Sequence, residues 1–578
     1  AELDRLTGDV GLLIAGRSLP RAAELTVQVL GEERRVRTGT RLEALLPPEV
    51  DGDPVVAGLL GQKPVSLATP VFSATTVAPL TLSHWEGRRI YASSLGLLLL
   101  EAAQQVAPDL PVRLGPSRGP RQLVELEGEP GESRAELAAR LQERMERLAA
   151  ADAPFRCESW TTDEATGWFE ERGWDDAARL LRTRRQATVR LSSCGQVYAL
   201  AMGPLLPSTG ALRGFSVAPD EENGGLVLAL GARDPRNGHP VSGARPAAAR
   251  DGEMIREHQG WLDAMGVTSV GAFNDLCIDG RVTQLIRVAE GFHEKRIGHL
   301  ADAIAAARDR IRVICIAGPS SSGKSTFIKR LRVQLEIDGV RPVGLSLDDY
   351  YVDRARTPRG PGGDWDFEAL EAIDLALLRA QVGRLLAGEA VRTAWFDFLA
   401  GTSHPEGRPP LQLRAGDVLM LEGIHGLDPR LLGDLLGAGE VFRIFVQPAT
   451  TLPFDRLTRV SATDVRLLRR IVRDRHQRGY SAAENILRWP AVQAGEQAHI
   501  FPHHHEADAV FDSTLIYEPA VLKVFAERYL LEVPRSHPAY PTAHRLRALV
   551  DRFVSIYPDH VPPTSLIREF IGGSGFEY

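Results

Sequence analysis

The second half of the chain predicts an α/β fold built on a mostly parallel sheet, and three observations carry that prediction. From Arg312 onward, short apolar runs alternate with helical ones. Parallel strands need helical crossovers, and strands covered on both faces are apolar throughout rather than alternating. The run Val313-Ile314-Cys315-Ile316-Ala317 leads into a glycine-rich turn and then a helical segment over 326–338. Two further runs, 342–347 and 417–421, each end beside carboxylates. Ligands of such sheets bind beyond the strand C-termini, so those ends are where function is to be sought.

The 578 residues exceed what one core can organise, and several domains are expected. Over 25–90 short β-type runs (26–30, 65–67, 71–72) alternate with Gly/Pro turns, which predicts a small β-grasp-sized module. A buried helix follows over 91–106, then a Gly/Pro-rich connection over 115–119 and an amphipathic helix over 133–149, so a second α+β domain fills 91 to about 245. The stretch 251–310 reads as helical, its polar part from Glu290 leading into the first strand of the α/β domain. The expected division is 1–90, 91–290 and 291–520, with a tail over 521–578 whose helices at 541–552 and 565–570 pack on the α/β core or a neighbour.

A formal net charge of -7 argues against a chain that holds nucleic acid by charge alone. Cys157, Cys194, Cys277 and Cys315 lie far apart without metal-ligand spacing, which points to a reducing, cytoplasmic setting. No run approaches the roughly 20 apolar residues of a membrane span, and no membrane role is expected. Lysine is scarce: only Lys63, Lys295, Lys324, Lys329 and Lys523 stand among the 68 basic residues. Where lysine persists in so arginine-rich a chain, a compact ammonium is what the position requires.

Lys324 lies in Gly318-Pro319-Ser320-Ser321-Ser322-Gly323-Lys324-Ser325, a GxxxxGK[ST] loop placed between a strand and a helix. Glycines let the backbone N–H groups of Gly318, Ser320, Ser321, Ser322, Gly323, Ser325 and Thr326 turn towards phosphates. The helix N-terminus adds positive potential, Lys324 reaches the β/γ-phosphates, and Ser325 offers a hydroxyl to Mg²⁺. The next strand ends in Ser346-Leu347-Asp348-Asp349-Tyr350-Tyr351, where Asp348 can orient or deprotonate an acceptor hydroxyl beside Asp349 and Tyr351. Glu422 ends the strand Leu419-Met420-Leu421 and suits a direct or outer contact to Mg²⁺. A helix opening at Ser461-Ala462-Thr463-Asp464 carries Arg466, Arg469, Arg470 and Arg473 at spacings of three and four, with Arg478 following. Such a face is either solvated or clamps ATP phosphates as a closing lid; Arg470 and Arg473 are placed on the transferred phosphoryl group, Arg469 and Arg478 on the nucleotide, Arg466 on the substrate.

These motifs over about 300–520 resemble the uridine kinase/phosphoribulokinase family. The resemblance implies an ATP- and Mg²⁺-dependent kinase with Asp348 as acceptor base and Ser325, Asp348 and Glu422 at the metal. It also implies that Phe367-Glu368 stands where a Phe-Asp pair holds ribose hydroxyls. Phe396-Asp397-Phe398 stands for a Tyr-Asp-Phe segment at the base, with His404 downstream. Glu for Asp adds one methylene, and Phe396 lacks the phenolic hydroxyl.

The first half resembles the N-terminal modules of threonyl-tRNA synthetase: a TGS-like β-grasp module, then an editing-like domain carrying Gly203-Pro204-Leu205-Leu206-Pro207-Ser208-Thr209-Gly210. The HxxxH pair of that domain falls near Tyr91 and Leu95, and its Gly-Pro-His histidine is Leu205, so the resemblance implies an editing fold that has lost its ligands. With Gly271-Ala272-Phe273-Asn274 and the tail 568–574, the whole chain resembles a bacterial uridine kinase-like family with fused synthetase-type domains. The expected reaction is phosphoryl transfer from ATP to a nucleoside-like hydroxyl. A sugar kinase, and a tRNA-binding regulator with a nucleotide-switch domain, stay open, as does homo-oligomerisation. The three consecutive histidines His503, His504 and His505 are either a solvated loop or metal ligands.

Overall fold

The computed structural model describes residues 11–14, 17–20, 23–118, 121–220, 224–229, 249–359, 363, 365–437 and 439–577. Packing divides the chain into two compact units, one made of Ala1–Ala244, Pro453–Arg459 and Leu530–Leu549, the other of Arg245–Leu452, Val460–Tyr529 and Val550–Tyr578.

In the first unit, the strands Glu32–Arg37, Glu24–Val29, Thr76–Thr81, Asp53–Leu60 and Glu49–Val50 form one sheet in that order, with Lys63–Val65 paired to Asp53–Leu60. Its core is Val27, Val29, Leu42, Leu45, Leu46, Val55, Val71 and Val77. The strand expected at 71–72 does not form: the Val71 N–H donates to Thr40 O at 2.9 Å, inside a loop. The helix expected from Tyr91 runs over Trp85–Val106, because His84 caps it by accepting the Glu86 N–H on Nδ1 at 3.2 Å. The Gly/Pro segment expected as a connection over 115–119 is mostly strand, Val112–Arg118, and Gly119 lies outside the described residues. Arg134–Ala150 is helical as predicted, with Ser133 and Glu136 closing a capping box. The segment Pro453–Arg459 belongs to this unit through Asp455, whose carboxylate accepts the Leu200 N–H at 2.8 Å.

The second unit opens with three helices, Ala249–Met265, Val270–Ile278 and Val282–Ala306, where the sequence predicted one helical stretch. Its sheet consists of β1 (Val313–Ala317), β2 (Arg341–Ser346), β3 (Asp417–Glu422), β4 (Val441–Gln447) and β5 (Ala509–Asp512), all parallel and in the order β2-β3-β1-β4-β5. All five residues of β1 are buried, which explains its unbroken apolar run. The helices used below are α1 (Lys324–Ile337), α2 (Leu375–Leu386), α3 (Ala462–Gln477), α4 (Ala482–His499), α5 (Glu518–Leu531) and α6 (Arg568–Ile571). The main core contains Val313, Cys315, Val343, Leu345, Leu419 and Leu421 from the strands and Leu378, Val382 and Leu385 from α2. Among the described residues no helix is long and apolar enough to cross a membrane.

Candidate active site

Register places the site. Glu422 at the end of β3 is level with Ile316 of β1 and Ser346 of β2, so the loops after β1 and β2 leave the sheet on either side of it. The first is the phosphate loop; the second turns through a short 3-10 helix, Leu347–Tyr350, that carries Asp348. In the loop, Gly323 has φ +90 at the N-cap of α1, where any other residue would be strained and a Cβ would run into Leu566. Gly318 is required for a different reason, since a Cβ there would collide with the Val446 carbonyl.

Lys324 donates its ammonium to Gly318 O at 2.6 Å and Pro319 O at 3.2 Å. Burial lowers its pKa, while Glu569 and Asp348 pull it back up. The Asp348 residue is exposed, yet the protein massed around it raises its carboxyl. Lys324 opposes that rise, Asp349 adds to it, and Arg478 opposes it. Glu422 is raised by burial and then by Asp348, with Lys324 pulling down. Asp348, Glu422 and Lys324 are therefore electrostatic neighbours. Ser325 follows Lys324 in the first turn of α1.

The aromatic group also assembles. Tyr351 meets Phe367, Phe396 and Phe398 with ring centroids 6.5, 5.6 and 6.1 Å away. Glu368 lies against Gly495 of α4, and burial, helped by Glu496 and Asp366, pushes its carboxyl up to about 7. Asp349 is held by Arg408 at 3.0 and 3.2 Å, a partner the sequence reading missed. His404 is not brought to this cluster. It pairs across a hairpin with Trp395 and stacks on it at 5.1 Å, whereas Phe396, the next residue, faces Tyr351, and successive strand residues point to opposite faces.

The arginine helix corrects the lid expectation. Ser461 occupies the N-cap of α3 without a capping hydrogen bond, and the helix is packed rather than open. Arg469, fully buried, pairs with Glu518 of α5 at 2.6 and 2.9 Å and donates to Ser321 O at 3.3 Å and Ser322 O at 3.1 Å. Arg466 pairs with Glu496 and donates to Ser320 O at 2.9 Å. Both brace the phosphate loop from behind, so neither guanidinium is free to clamp a ligand. Arg470 donates to Ser320 Oγ at 2.9 Å, and Arg470, Arg473 and Arg478 lie 3.5, 2.8 and 3.7 Å from the carboxylate of buried Asp474. Of the five, Arg478 has the most exposed side chain, 54%, and it faces Asp348. Glu496, Asp474 and Glu518 carry no sequence signal beyond being acidic residues near the arginines.

Among the described residues no group of three His, Cys, Asp or Glu side chains could hold a metal. His503 instead meets Asp428 at 3.2 Å and His505 meets Glu506 at 3.1 Å. In the first unit, Leu95 and Leu205 are buried where the histidine ligands were sought, and the Tyr91 hydroxyl bonds to Arg213 O at 2.5 Å and Arg213 N at 2.9 Å. Burial pushes the Cys194 thiol up to about 12, which makes it unreactive.

A parallel sheet in this order, with a phosphate loop after its central strand β1 and carboxylates at the end of β3 and after β2 on one side of it, is the arrangement of a P-loop phosphotransferase. The family model described as Phosphoribulokinase / Uridine kinase family matches residues 313–516. A uridine kinase of Brevibacillus brevis is 30% identical over 169 residues, spanning 29% of this chain and 69% of that relative. One of Deinococcus deserti is 27% identical over 210 residues, 36% of this chain and 91% of the relative. The chain belongs to the phosphoribulokinase/uridine kinase family and its kinase domain is of the ATP-dependent P-loop type. Over a different region it is 27% identical to a threonine–tRNA ligase of Halorhodospira halophila across 163 residues, 28% of this chain and 25% of the ligase, which fits a fusion of the kinase to a synthetase-like N-terminal half.

Proposed function

We propose that the chain transfers the γ-phosphoryl group of ATP to a hydroxyl of a nucleoside-like acceptor. The observation that supports this reading is that Asp348 has both Lys324 and Tyr351 as electrostatic neighbours, with the Tyr351 ring centre 5.6 Å from that of Phe396. Asp348 takes the acceptor proton as the acceptor oxygen bonds to the γ-phosphorus. The bond to the β–γ bridging oxygen breaks, and ADP leaves with that electron pair. Lys324 and Arg478 stabilise the charge on the transferred group; Arg470 holds the loop through Ser320 Oγ, and Arg473 is held by Asp474. The edge-to-face rings of Tyr351, Phe367, Phe396 and Phe398 offer an apolar patch for a base, and Glu368 offers an acceptor for ribose hydroxyls.

The donor set Ser325, Asp348 and Glu422 is all oxygen and carries two carboxylates with raised pKa, which suits Mg²⁺. Bound there, Mg²⁺ would neutralise phosphate charge. The first half, on this reading, is a TGS-like module and an editing-like domain without its chemistry, used for binding or assembly. The deciding experiment is a panel of nucleosides and sugars with ATP and Mg²⁺. Phosphorylation of uridine or cytidine at a kcat/KM at least about 100-fold above that for free sugars is expected; the reverse preference would make the enzyme a sugar kinase.

A further inference from the structure

The tail places a carboxylate on the phosphate loop. Glu569, in α6, accepts the Thr326 N–H at 3.2 Å and the Thr326 hydroxyl at 3.0 Å, both on Oε2, and it is 8% exposed. Thr326 is the third residue of α1, in the turn directly after the phosphate loop. Backbone N–H groups of that turn are anion donors, and in a phosphate loop they cradle the α/β-phosphates. The ammonium groups of Lys324 and Lys329 face the same carboxylate.

A second loop donor, the Ser320 N–H, is also taken by a carboxylate, that of Glu496 at 2.9 Å. Arg466 neutralises that one by direct pairing, so it is part of the loop's bracing. Glu569 differs, because its charge is balanced by the lysine that the nucleotide itself needs. We propose that Glu569 is a built-in competitor of the nucleotide: its carboxylate holds a phosphate position of the loop and must turn away before ATP or ADP seats fully.

The rest of the tail is anchored, so the movement belongs to one side chain. Phe570 is fully buried with the Arg469 guanidinium 5.2 Å from its ring centre. Arg568 donates to Pro558 O at 2.8 Å and Val561 O at 2.6 Å, and Ser565 Oγ lies 3.2 Å from the Tyr517 hydroxyl. Rotation of the Glu569 side chain frees the Thr326 N–H while α6 stays in place.

The inference rests on the loop holding ATP and is independent of the acceptor. Its test is calorimetric binding of ADP, and separately of pyrophosphate, to the full chain and to its Glu569→Ala and Glu569→Gln variants. Binding of both probes about 10-fold tighter to Glu569→Ala is expected, which is about 1.4 kcal/mol, with a smaller gain for Glu569→Gln. Should Glu569→Ala lose its cooperative thermal transition, Glu569→Gln decides, since it keeps the side-chain size and removes only the charge. Unchanged or weaker binding by the folded variants overturns the proposal. Failure of the wild type and both variants to bind ADP overturns the nucleotide reading itself.

Discussion

The phosphate loop and the region around Tyr91 are both rich in polar groups, but they satisfy those groups differently. Around the loop, Asp348, Glu422, Glu496 and Glu569 stand against Lys324, Arg466 and Arg469, so each charge depends on another charge. Around Tyr91, the hydroxyl bonds to backbone atoms of Arg213, Ser94 Oγ accepts the Leu206 N–H at 2.9 Å, and Leu95 and Leu205 are buried. The first arrangement keeps charges in mutual reach at a cost in desolvation, whereas the second satisfies its polar groups with neutral hydrogen bonds among apolar side chains.

The contrast can be broken most sharply at Asp348. Asp348→Ala is expected to lower kcat about 1000-fold, within the range of general-base losses, with the melting temperature within about 2 °C of wild type; retention of full phosphotransfer would remove Asp348 from its role. Next comes Arg469, whose pairing with Glu518 is fully buried. Arg469→Ala leaves an unpaired buried carboxylate and should cost about 3–5 kcal/mol in urea unfolding. Arg478→Ala should leave stability unchanged and lower kcat about 10-fold, as loss of one exposed charge-stabilising contact would.

Glu368 sharpens the comparison through pH. Its carboxyl is raised from 4.5 to about 7, so the folded state binds the proton more tightly than the unfolded one. The stability this contributes is full below pH about 4.5 and is lost as pH rises towards and through about 7. Glu368→Gln should flatten the dependence of thermal stability on pH in that window. In the wild type, acceptor KM should fall as pH rises through 7, when the carboxylate can accept hydroxyl hydrogen bonds, and the variant should lose that fall. The smallest effect is expected at Tyr91: Tyr91→Phe removes a neutral hydrogen bond and should cost about 1 kcal/mol, with kcat for phosphotransfer unchanged.

Much of the kinase half was legible because its signals are local. The strand Val313–Ala317 matched the predicted run residue for residue, β2 and β3 lay within one residue of theirs, and Asp348 and Glu422 stand at the strand ends where they were sought. The helix Trp85–Val106 was read six residues short, because a histidine cap is a weak signal. His404 was misplaced for a related reason: only the hairpin register shows that it shares a face with Trp395 and not with Phe396.

By itself, the sequence determined where phosphate is held, since a GxxxxGK[ST] turn between strand and helix sets its own backbone geometry within eight residues. What each charged group does was decided by the tertiary structure. An arginine on a helix looks the same whether it meets solvent, substrate or a buried acid. Arg469 meets Glu518 from 49 residues away, Arg466 meets Ser320 from 146, and Thr326 meets Glu569 from 243. Over such separations pairing follows from how the strands and helices pack, and no pattern within any one segment encodes it.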